Sequence, residues 1–494
     1  MAINKKKEGK NMGVLSNLEP KEVFAYFEDI CAIPHASYQE KKISDYCVEF
    51  AKRHNLSYYQ DELNNIIIKK DASEGYEEAP PVILQGHLDM VCEKEPGCDI
   101  NFNVDGLELV VEGDYITANG TTLGGDDGIA IAYALAILAS DTIKHPKIEV
   151  LFTASEEVGM DGASGIDASK LEARRLINLD SEEEGILLAG CAGGASVECT
   201  LPSHFIPASG IAIKITVNGL AGGHSGTEIN KGRANANLMM GRVLVELSKN
   251  IQYSLAQCEG GKKENAIPRE CSVILCIAED KLSQTVQAVS KLQQEFANEY
   301  ALTDPGVQCK VEQNAQLPSH MLDEESTKAI VMLVNALPNG VQAMSADVDG
   351  LVETSLNLGI MKLTQEQFSL RYAVRSSVSS SLNALLDKLS YLTNGFGGKA
   401  RISGIYPAWE YKRDSMLRDK MIAVYESMYG KKPAVEAIHA GLECGILAGK
   451  LPGLDCISLG PDMQAVHTTE EKLSISSTKR VWDYLLAVLQ DLKA

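Results

Sequence analysis

The sequence is poor in positive charge. Its 494 residues include 46 Lys and Arg against 67 Asp and Glu, which gives a formal net charge of -21. Because phosphate binding relies on clustered Lys and Arg, this balance argues against a nucleic-acid surface. The one basic cluster, at residues 5–7, lies in a polar start, and no later apolar run is long enough to cross a bilayer. We therefore expect small substrates or protein partners, no nucleic-acid or membrane partner, and a cytoplasmic location.

Paired cysteines are also lacking. Twelve cysteines are scattered through apolar or turn segments, with no CxxC pair and no spacing typical of a zinc knuckle. In a reducing cytosol such residues are usually buried free thiols that serve packing. A disulfide framework and a cysteine-bound zinc are therefore not expected.

The length and the apolar content favour two domains. A chain of 494 residues with 45% hydrophobic residues exceeds one typical core. Helical periodicity begins only near Pro20, so the preceding residues are expected to form a loose leader, with Met12 as a candidate alternative start. From there to residue 192, short runs such as IEVLF alternate with helical runs such as GIAIAYALAILAS. This βαβ pattern predicts an α/β domain with a mixed, mostly parallel sheet flanked by helices.

A different pattern occupies residues 193–403. Alternating strands such as IAIKITV surround longer helices such as LSQTVQAVSKLQQEFANEY, which is typical of an α+β module. Residues 404–494 return to the first pattern. We therefore predict that a smaller α+β domain (193–403) is inserted into a discontinuous α/β domain (1–192 and 404–494).

Four acid-rich breaks interrupt the first domain. They place His87 in GHLDMV, Asp126 in GGDDGIA, Glu157 in TASEEVGMDG and Asp180 in LINLDSEEEG. Each break lies where a strand-like run ends or a helix-like run begins, the position from which side chains converge in an α/β sheet. Carboxylate oxygens and imidazole nitrogens suit divalent zinc, manganese or cobalt. The four breaks together predict a metal site.

Each break has an ordinary structural explanation when it is taken alone. The His-x-Asp pair could be a hydrogen-bonded core pair, and either aspartate of GGDDGIA could cap the helix that follows. The paired glutamates could form a solvated turn, and the acids after Asp180 could belong to a charged loop. A fifth group is needed if the site holds two metals; His467 in AVHTTEE is the candidate, although it could be a loop histidine. The repeated placement favours one shared site, because four coincidences would otherwise be required.

The motifs resemble those of metallopeptidase family M20, and most closely its aminoacyl-histidine dipeptidase branch. They run in family order from about residue 16 to the end, as GHLDMV, TTLGGDDGIA, TASEEVGMDGA, INLDSEEEG, GLAGGHSG, NAIPR, RSSVSS, HAGLECG and AVHTTEE. The resemblance implies a catalytic domain built from the two α/β segments. It also implies that the inserted module is a lid and dimerisation domain, so that a homodimer is expected.

The resemblance implies two divalent metal ions, with zinc expected and cobalt or manganese as alternatives. His87 and Asp180 would hold one ion, Glu157 and His467 the other, and Asp126 would bridge them. Asp127 is a departure, since the family pattern has Asn there; the neighbouring Asp126 is the matched ligand.

The resemblance also assigns catalytic and substrate-binding roles. Glu156 would be the general base, while Asp89 would orient the metal-binding histidine at 87 through its second ring nitrogen. In the inserted domain, His224 would contact the substrate or the tetrahedral intermediate, in its own subunit or across a dimer interface, and Arg375 and Asn265 would bind the substrate's C-terminal carboxylate. Gly441, in the second segment of the α/β domain, would line the same pocket. Their ordinary alternatives are a turn histidine, surface polar residues and a turn glycine.

These expectations combine into a metal-dependent dipeptidase acting on unblocked dipeptides, Xaa-His types among them. An N-acyl amino acid amidohydrolase remains an alternative, because it would use the same two-metal chemistry. A noncatalytic metal-binding protein is a third class, against which the spare carboxylate of Glu156 argues.

Overall fold

The chain folds into two units with different layouts. The computed structural model describes residues 13–493. Unit 1 contains the chain up to Gly190, Lys412–Glu436 and the chain from Ile446 onward. Unit 2 contains Cys191–Tyr411 and Ala437–Gly445. Most of the expected leader and Met12 lie outside the described residues.

The helices and strands are numbered along the described residues. The helices are α1 Lys21–Cys31, α2 Lys41–Arg53, α3 Gly125–Ala139, α4 Glu156–Gly159, α5 Asp161–Gly165, α6 Ala236–Ser248, α7 Leu282–Glu299, α8 Glu324–Ala336, α9 Ser379–Gly395, α10 Met416–Tyr429, α11 Glu443–Lys450 and α12 Ile475–Asp491. The strands are β1 Ser57–Gln60, β2 Ile66–Lys70, β3 Val82–His87, β4 Leu109–Glu112, β5 Tyr115–Ala118, β6 Ile148–Thr153, β7 Arg175–Asn178, β8 Ile186–Cys191, β9 Gly193–Pro202, β10 Phe205–Pro207, β11 Ile211–Asn218, β12 Gly223–His224, β13 Tyr253–Gly260, β14 Ala266–Ile267, β15 Cys271–Ile277, β16 Gln308–Ala315, β17 His320–Leu322, β18 Gly340–Met344, β19 Val352–Leu363, β20 Gln367–Ser376, β21 Lys399–Tyr406, β22 Ala434–Ile438, β23 Asp455–Ser458, β24 Met463–Gln464 and β25 Lys472–Ser474.

Unit 1 is built on an eight-stranded mixed sheet in the order β1-β2-β6-β3-β7-β23-β8-β22. Its four central strands, β6, β3, β7 and β23, run parallel to one another, whereas β1, β2 and β8 join the sheet in antiparallel fashion. Strands β3 and β6 are buried along their whole length, as expected when helices cover both faces of a sheet. The predicted α/β class with a mixed sheet is confirmed.

Helix packing in unit 1 follows from the apolar residues of the sequence. Helix α1 buries Val23, Phe24, Phe27 and Ile30, which lie on one helical face, and it ends before Pro34. Helix α3 is buried almost throughout and packs against α1 and β3. Burial on all sides is typical of a central helix whose first turn can place side chains inside the domain.

Unit 2 is an α+β module. Its nine-stranded sheet follows the order β16-β11-β15-β13-β19-β20-β9-β21, and β18 also pairs with β19. The pairings are antiparallel, and inward residues alternate along the strands, as in β11 with Ile213, Ile215 and Val217. Helices α6, α8 and α9 pack on the strands and complete one apolar core. The predicted α+β class of the inserted domain is confirmed.

The division between the units differs in detail from the expected boundaries at 192 and 403. Residues 437–445 join unit 2, although the sequence pattern around them belongs to the α/β domain. Main-chain hydrogen bonds explain this, because the N–H of Ala192 donates to the carbonyl oxygens of Ile438 and Ala440, at 3.1 and 3.0 Å.

Two expectations from composition can be compared with the structure. None of the helices within residues 13–493 is both long and apolar enough to span a membrane. No disulfide links the cysteines, and all except Cys92 and Cys98 are buried. The cysteines therefore pack in the interior, as expected.

Candidate metal centre and active site

The candidate site of unit 1 lies at the carboxyl ends of three neighbouring parallel strands. His87 is the last residue of β3, which lies between β6 and β7 in the sheet. Glu156 and Glu157 follow the end of β6 by three and four residues, and Asp180 follows β7 by two. Because parallel strands end at the same edge, these side chains are brought to one place, as in other α/β sites.

One group of potential ligands consists of His87, Asp126 and Asp180. The His87 Nε2 atom lies 3.0 Å from Asp126 Oδ1 and 3.5 Å from Asp180 Oδ1. The other ring nitrogen, Nδ1, lies 2.9 Å from the main-chain oxygen of Asp89. A proton on Nδ1 that bonds this oxygen leaves the Nε2 lone pair directed at the carboxylates, which is the tautomer a metal ligand needs.

A second group consists of Asp126, Glu157 and His467. The His467 Nε2 atom lies 3.1 Å from Asp126 Oδ2 and 2.9 Å from Glu157 Oε1. The two oxygens of Asp126 therefore face two different imidazoles, one from each group. In each group, atoms of three different side chains lie within 4.8 Å of one another. A carboxylate in this position can be shared between two cations.

Glu156 belongs to a third group, with His87 and Glu157. Both glutamates open the short helix α4, after Ser155 with a left-handed backbone at φ 55°. The two glutamates are therefore presented by a helical turn and not by an extended strand end. Glu156 is partly exposed, so its carboxylate has access to solvent.

Asp89 is buried between two parts of the site. Its Oδ1 accepts the N–H of Glu156 at 2.9 Å, and its Oδ2 accepts the N–H of Glu157 at 3.3 Å. Its carboxylate lies 3.5 Å from His87 Nδ1, farther than its own main-chain oxygen. Burial opposes ionisation of Asp89, but its bonds to His87, Ser37 and the Glu156 N–H outweigh burial and lower its pKa. Asp89 thus joins the histidine to the glutamate turn.

The electrostatics of the cluster are those of crowded carboxylates. Burial, helped by the nearby charge of Asp126 and opposed by His87, raises the pKa of Asp180 to about 6. Burial also opposes ionisation of Asp126, but hydrogen bonds with His467 and His87 lower its pKa below the ordinary value. Bonds to Asp126 and Glu157 raise the pKa of His467 to about 10. Negative charge is thus concentrated where only the two imidazoles offset it.

The donor set fits divalent cations. Within residues 13–493, the recorded ion pairs of Asp126, Asp180 and Glu157 all involve histidine, and none involves Lys or Arg. Buried carboxylates without a basic side chain require another positive partner. Two imidazoles and three carboxylates are a common ligand set for zinc, cobalt or manganese.

Asp127 is fully buried beside the cluster. Its Oδ2 accepts the N–H of His87 at 3.1 Å, and its Oδ1 has no hydrogen-bond partner among the described residues. Burial and the charge of Asp180 raise the pKa of Asp127 well above the ordinary value. A neutral carboxyl group here has nearly the shape of the Asn expected from the family pattern, so the departure changes little.

The substrate-binding residues expected in unit 2 are also partly grouped. His224 pairs with Ala266 across β12 and β14, and the N–H of Ser225 donates to the main-chain oxygen of Asn265 at 3.0 Å. A Cβ atom at Gly226 would lie 3.0 Å from His224 Cε1 and 3.2 Å from Arg375 Nε. His224, Asn265 and Arg375 are therefore neighbours. Gly441 lies in the turn between β22 and α11.

The comparison with known families is specific. The model of peptidase family M20/M25/M40 matches residues 83–491. The chain belongs to this family. It is therefore a peptidase, a hydrolase of peptide bonds, and the predicted enzyme class is confirmed.

Individual relatives cover nearly the whole chain. Cytosol non-specific dipeptidase from Escherichia coli K12 is 36% identical over 485 residues, which are 98% of this chain and 100% of the relative. Aminoacylhistidine dipeptidase from Vibrio alginolyticus has a TM-score of 0.91 at 35% identity, covering 96% of this chain and 97% of that one. Aminopeptidase PepT from Bacillus cereus, at 15% identity and a TM-score of 0.56, covers 97% of this chain and 100% of its own and shares the fold. The predicted resemblance is confirmed.

Two further buried residues of this M20 peptidase, one in each unit, were missed by sequence reasoning. Glu471, buried four residues after His467, accepts hydrogen bonds from the main chain just before Asp126. His439, buried in unit 2, contacts Ser355 Oγ through Nε2 at 2.7 Å, and its Nδ1 has no hydrogen-bond partner among the described residues. The motifs AVHTTEE and HAGLECG contain both residues, but nothing in the sequence separates them from neighbouring acids or turn residues.

Proposed function

We propose that this M20 peptidase is a cytoplasmic, two-metal dipeptidase that hydrolyses unblocked dipeptides, Xaa-His dipeptides among them. The observation on which the proposal depends is the arrangement around Asp126, whose two oxygens face His87 and His467 separately. The two relatives that match at 35–36% identity are both named dipeptidases, which supports the substrate class.

We assign the two metal positions to the two groups that share Asp126. His87 and Asp180 would complete one position, and Glu157 and His467 would complete the other. When bound, a pair of divalent cations supplies Lewis-acid activation of water and of the scissile carbonyl. Zinc is the proposed metal, because imidazole and carboxylate ligands suit it well.

Glu156 is the proposed general base. Its main chain is fixed by Asp89, and its partly exposed carboxylate lies in a group with His87 and Glu157. The carboxylate would take a proton from the attacking water and then deliver it to the leaving nitrogen. General acid–base catalysis of this kind contributes on the order of 10²–10⁴ in rate.

Arg375 is the proposed ligand of the substrate's C-terminal carboxylate. Its Nη1 atom donates to the hydroxyl oxygen of Tyr406 at 2.9 Å, while its Nε has no hydrogen-bond partner among the described residues. A planar guanidinium with a free donor is suited to bidentate carboxylate binding. A clamp for a free carboxylate restricts the length of the peptide that can react.

His224 is proposed to donate a hydrogen bond to the reacting oxygen. Its Nδ1 accepts the N–H groups of Gly226 and Thr227 at 3.3 and 3.2 Å. Burial and the charge of Arg375 lower its pKa, so that the ring is neutral with its proton on Nε2. A neutral imidazole with a free Nε2–H is a donor suited to a developing oxyanion.

We also propose that unit 2 forms a homodimer interface. Strand β21 is at the edge of its sheet, and the side chain of Ile405 in this strand is 67% exposed. Helix α9, which packs against β21, presents Tyr391 with 79% of its surface exposed. An unpaired edge next to exposed apolar side chains is suited to pairing with a second copy.

A panel of substrates on zinc-reconstituted protein tests the proposed activity. We expect cleavage of free Xaa-His and other dipeptides, weak cleavage of their C-terminal amides, and no cleavage of their N-acetyl analogues. Preferential hydrolysis of the N-acetyl compounds would favour an amidohydrolase instead. Absence of hydrolysis with saturated metal sites would refute the enzymatic proposal.

A further inference from the structure

The main chain that leads to Asp126 is held by one buried side chain. Glu471 Oε2 accepts the N–H groups of Leu123 and Gly124 at 2.8 and 3.2 Å, and its Oε1 accepts that of Gly125 at 2.8 Å. Glu471 is only 2% exposed, so these bonds do not compete with water. Three consecutive N–H groups therefore converge on one carboxylate.

These N–H groups lie on the segment that leads into α3, just before the non-helical backbone of Asp126 and Asp127. Buried main-chain N–H groups need an acceptor, and here the Glu471 carboxylate supplies it. An aspartate would normally serve as the cap, and both Asp126 and Asp127 are available. Neither of them caps α3, and both have non-helical backbone angles. The N-cap residue is Gly124, which has no side chain that could act as a cap. Glu471 thus leaves Asp126 free for another role.

Glu471 also belongs to the segment that contains His467. The N–H of Glu471 donates to the main-chain oxygen of Thr468 at 3.2 Å, and that of Thr468 donates to Ala465 at 3.1 Å. His467 itself has a left-handed backbone at φ 66°. The turn between them is therefore short and internally bonded, so a fixed Glu471 restricts where the imidazole of His467 can lie.

From these contacts we infer that Glu471 is a positioning residue that joins the Asp126 segment to the His467 segment and sets the geometry of the metal position formed by Asp126, Glu157 and His467. The inference rests on the proposed metal centre. Glu471 touches neither substrate nor metal in this role; it acts through the backbone of the two segments. Residues that orient ligands typically change metal affinity 10–100-fold when they are replaced.

Zinc titration of metal-free protein by calorimetry tests the inference directly. In Glu471→Gln, an amide NH₂ replaces one carboxylate oxygen and faces main-chain N–H groups, so at least one of the three bonds is lost. We expect one of the two zinc ions to bind roughly 10–100-fold more weakly, while the other changes much less. If Glu471→Gln bound each of the two ions as tightly as the wild type does, the inference would be overturned.

Glu470→Gln is the matched control. Glu470 is the preceding residue and is exposed, so its replacement makes the same change of charge without disturbing the bonds to α3. We expect wild-type zinc affinities. Equal weakening in Glu470→Gln would overturn the inference, because general loss of negative charge would then explain both results.

A milder variant covers the case in which Glu471→Gln does not fold. Glu471→Asp keeps the charge and withdraws it by one methylene, and we expect an intermediate loss of affinity for the same ion. Hydrogen exchange of the Leu123, Gly124 and Gly125 amides in this variant should accelerate before exchange in the rest of α3. Unchanged exchange with unchanged zinc affinity would overturn the inference. Wild-type protein that binds no zinc would instead refute the proposed metal centre itself.

Discussion

Replacement of Glu156 by Gln would separate catalysis from metal binding in this peptidase. The amide has almost the shape of the carboxylate, but it cannot accept a proton from water at neutral pH. The main chain at Glu156 and Glu157 is held by the two oxygens of Asp89, at 2.9 and 3.3 Å, and not by the Glu156 carboxylate. The turn that presents Glu157 should therefore survive the substitution.

The expected loss is confined to the chemical step. A general base contributes on the order of 10²–10⁴ in rate, which corresponds to roughly 2.7–5.4 kcal/mol at about 1.36 kcal/mol for each factor of ten. We expect kcat to fall by this factor, whereas KM should change less than threefold or so, because the carboxylate is not a proposed substrate ligand. Both metal positions keep their full set of proposed ligands, so metal content should remain that of the wild type.

The assay measures kcat and KM for a free dipeptide together with the zinc content of the same preparation. Glu183→Gln, at an exposed residue of the loop that follows Asp180, is a matched control and should leave all three values unchanged. A Glu156→Gln enzyme with near wild-type kcat would refute the role of general base. Loss of one zinc ion per chain would show instead that Glu156 is a metal ligand. Its position also allows this, because its carboxylate lies close to potential ligand atoms of His87 and Glu157.

Three further predictions address other parts of the site. Asp126→Asn should lower the affinity for both zinc ions, whereas His467→Ala should lower it for only one, because Asp126 is shared by the two groups. Calorimetric titration of metal-free variants measures both affinities, and an Asp126→Asn protein that binds one ion with wild-type affinity would contradict this. Arg375→Lys should raise KM for dipeptides roughly 10–100-fold with a smaller change in kcat, since a planar donor pair is lost; steady-state kinetics with a C-terminal amide, which should be insensitive, provides the control. Burial, with the charges of Arg375 and His224, lowers the pKa of His439 to about 4. The unfolded imidazole takes up its proton near its ordinary pKa of about 6.5, so this group costs stability as pH falls from about 6.5 towards 4. His439→Asn should therefore show a smaller decrease in Tm between pH 7 and pH 5 than the wild type does, and an equal decrease would contradict the assignment.

Hydrophobic periodicity predicted the elements whose burial is set by their own sequence. Helix α1, with a single apolar face, and the buried strands β3 and β6 are examples. The sequence predicts less about elements whose place in a sheet depends on partners that are distant along the chain. Strand β13 pairs with β15 and with β19, and the second of these lies about a hundred residues further along the chain. Local propensity does not contain such a pairing.

The candidate ligands were recognisable because each follows the end of a strand or opens a helix. His87, Asp126, Glu157 and Asp180 share that position, and parallel strands bring such positions together. Glu471 had no comparable signal. Its partners lie about 350 residues away in the chain, and an acidic pair in TTEEKL is equally typical of a solvated turn. Residues that act through main-chain N–H groups can be found only when the backbone is known.

The five proposed ligands come from five separate segments, so the fold alone leaves each free to shift with its own loop. Two buried acids reduce that freedom. Asp89 joins the end of β3, with His87, to the turn that presents Glu157, and Glu471 joins the start of α3, with Asp126, to the segment of His467. Each acid satisfies main-chain N–H groups that would otherwise be buried without partners, which makes the connection costly to break. Asp89 and Glu471 fix different pairs of segments. The losses of zinc-binding free energy caused by replacing each acid should therefore add in the double variant if the pairs move independently. The loss in the double variant should exceed that sum if the metal ions couple the two pairs.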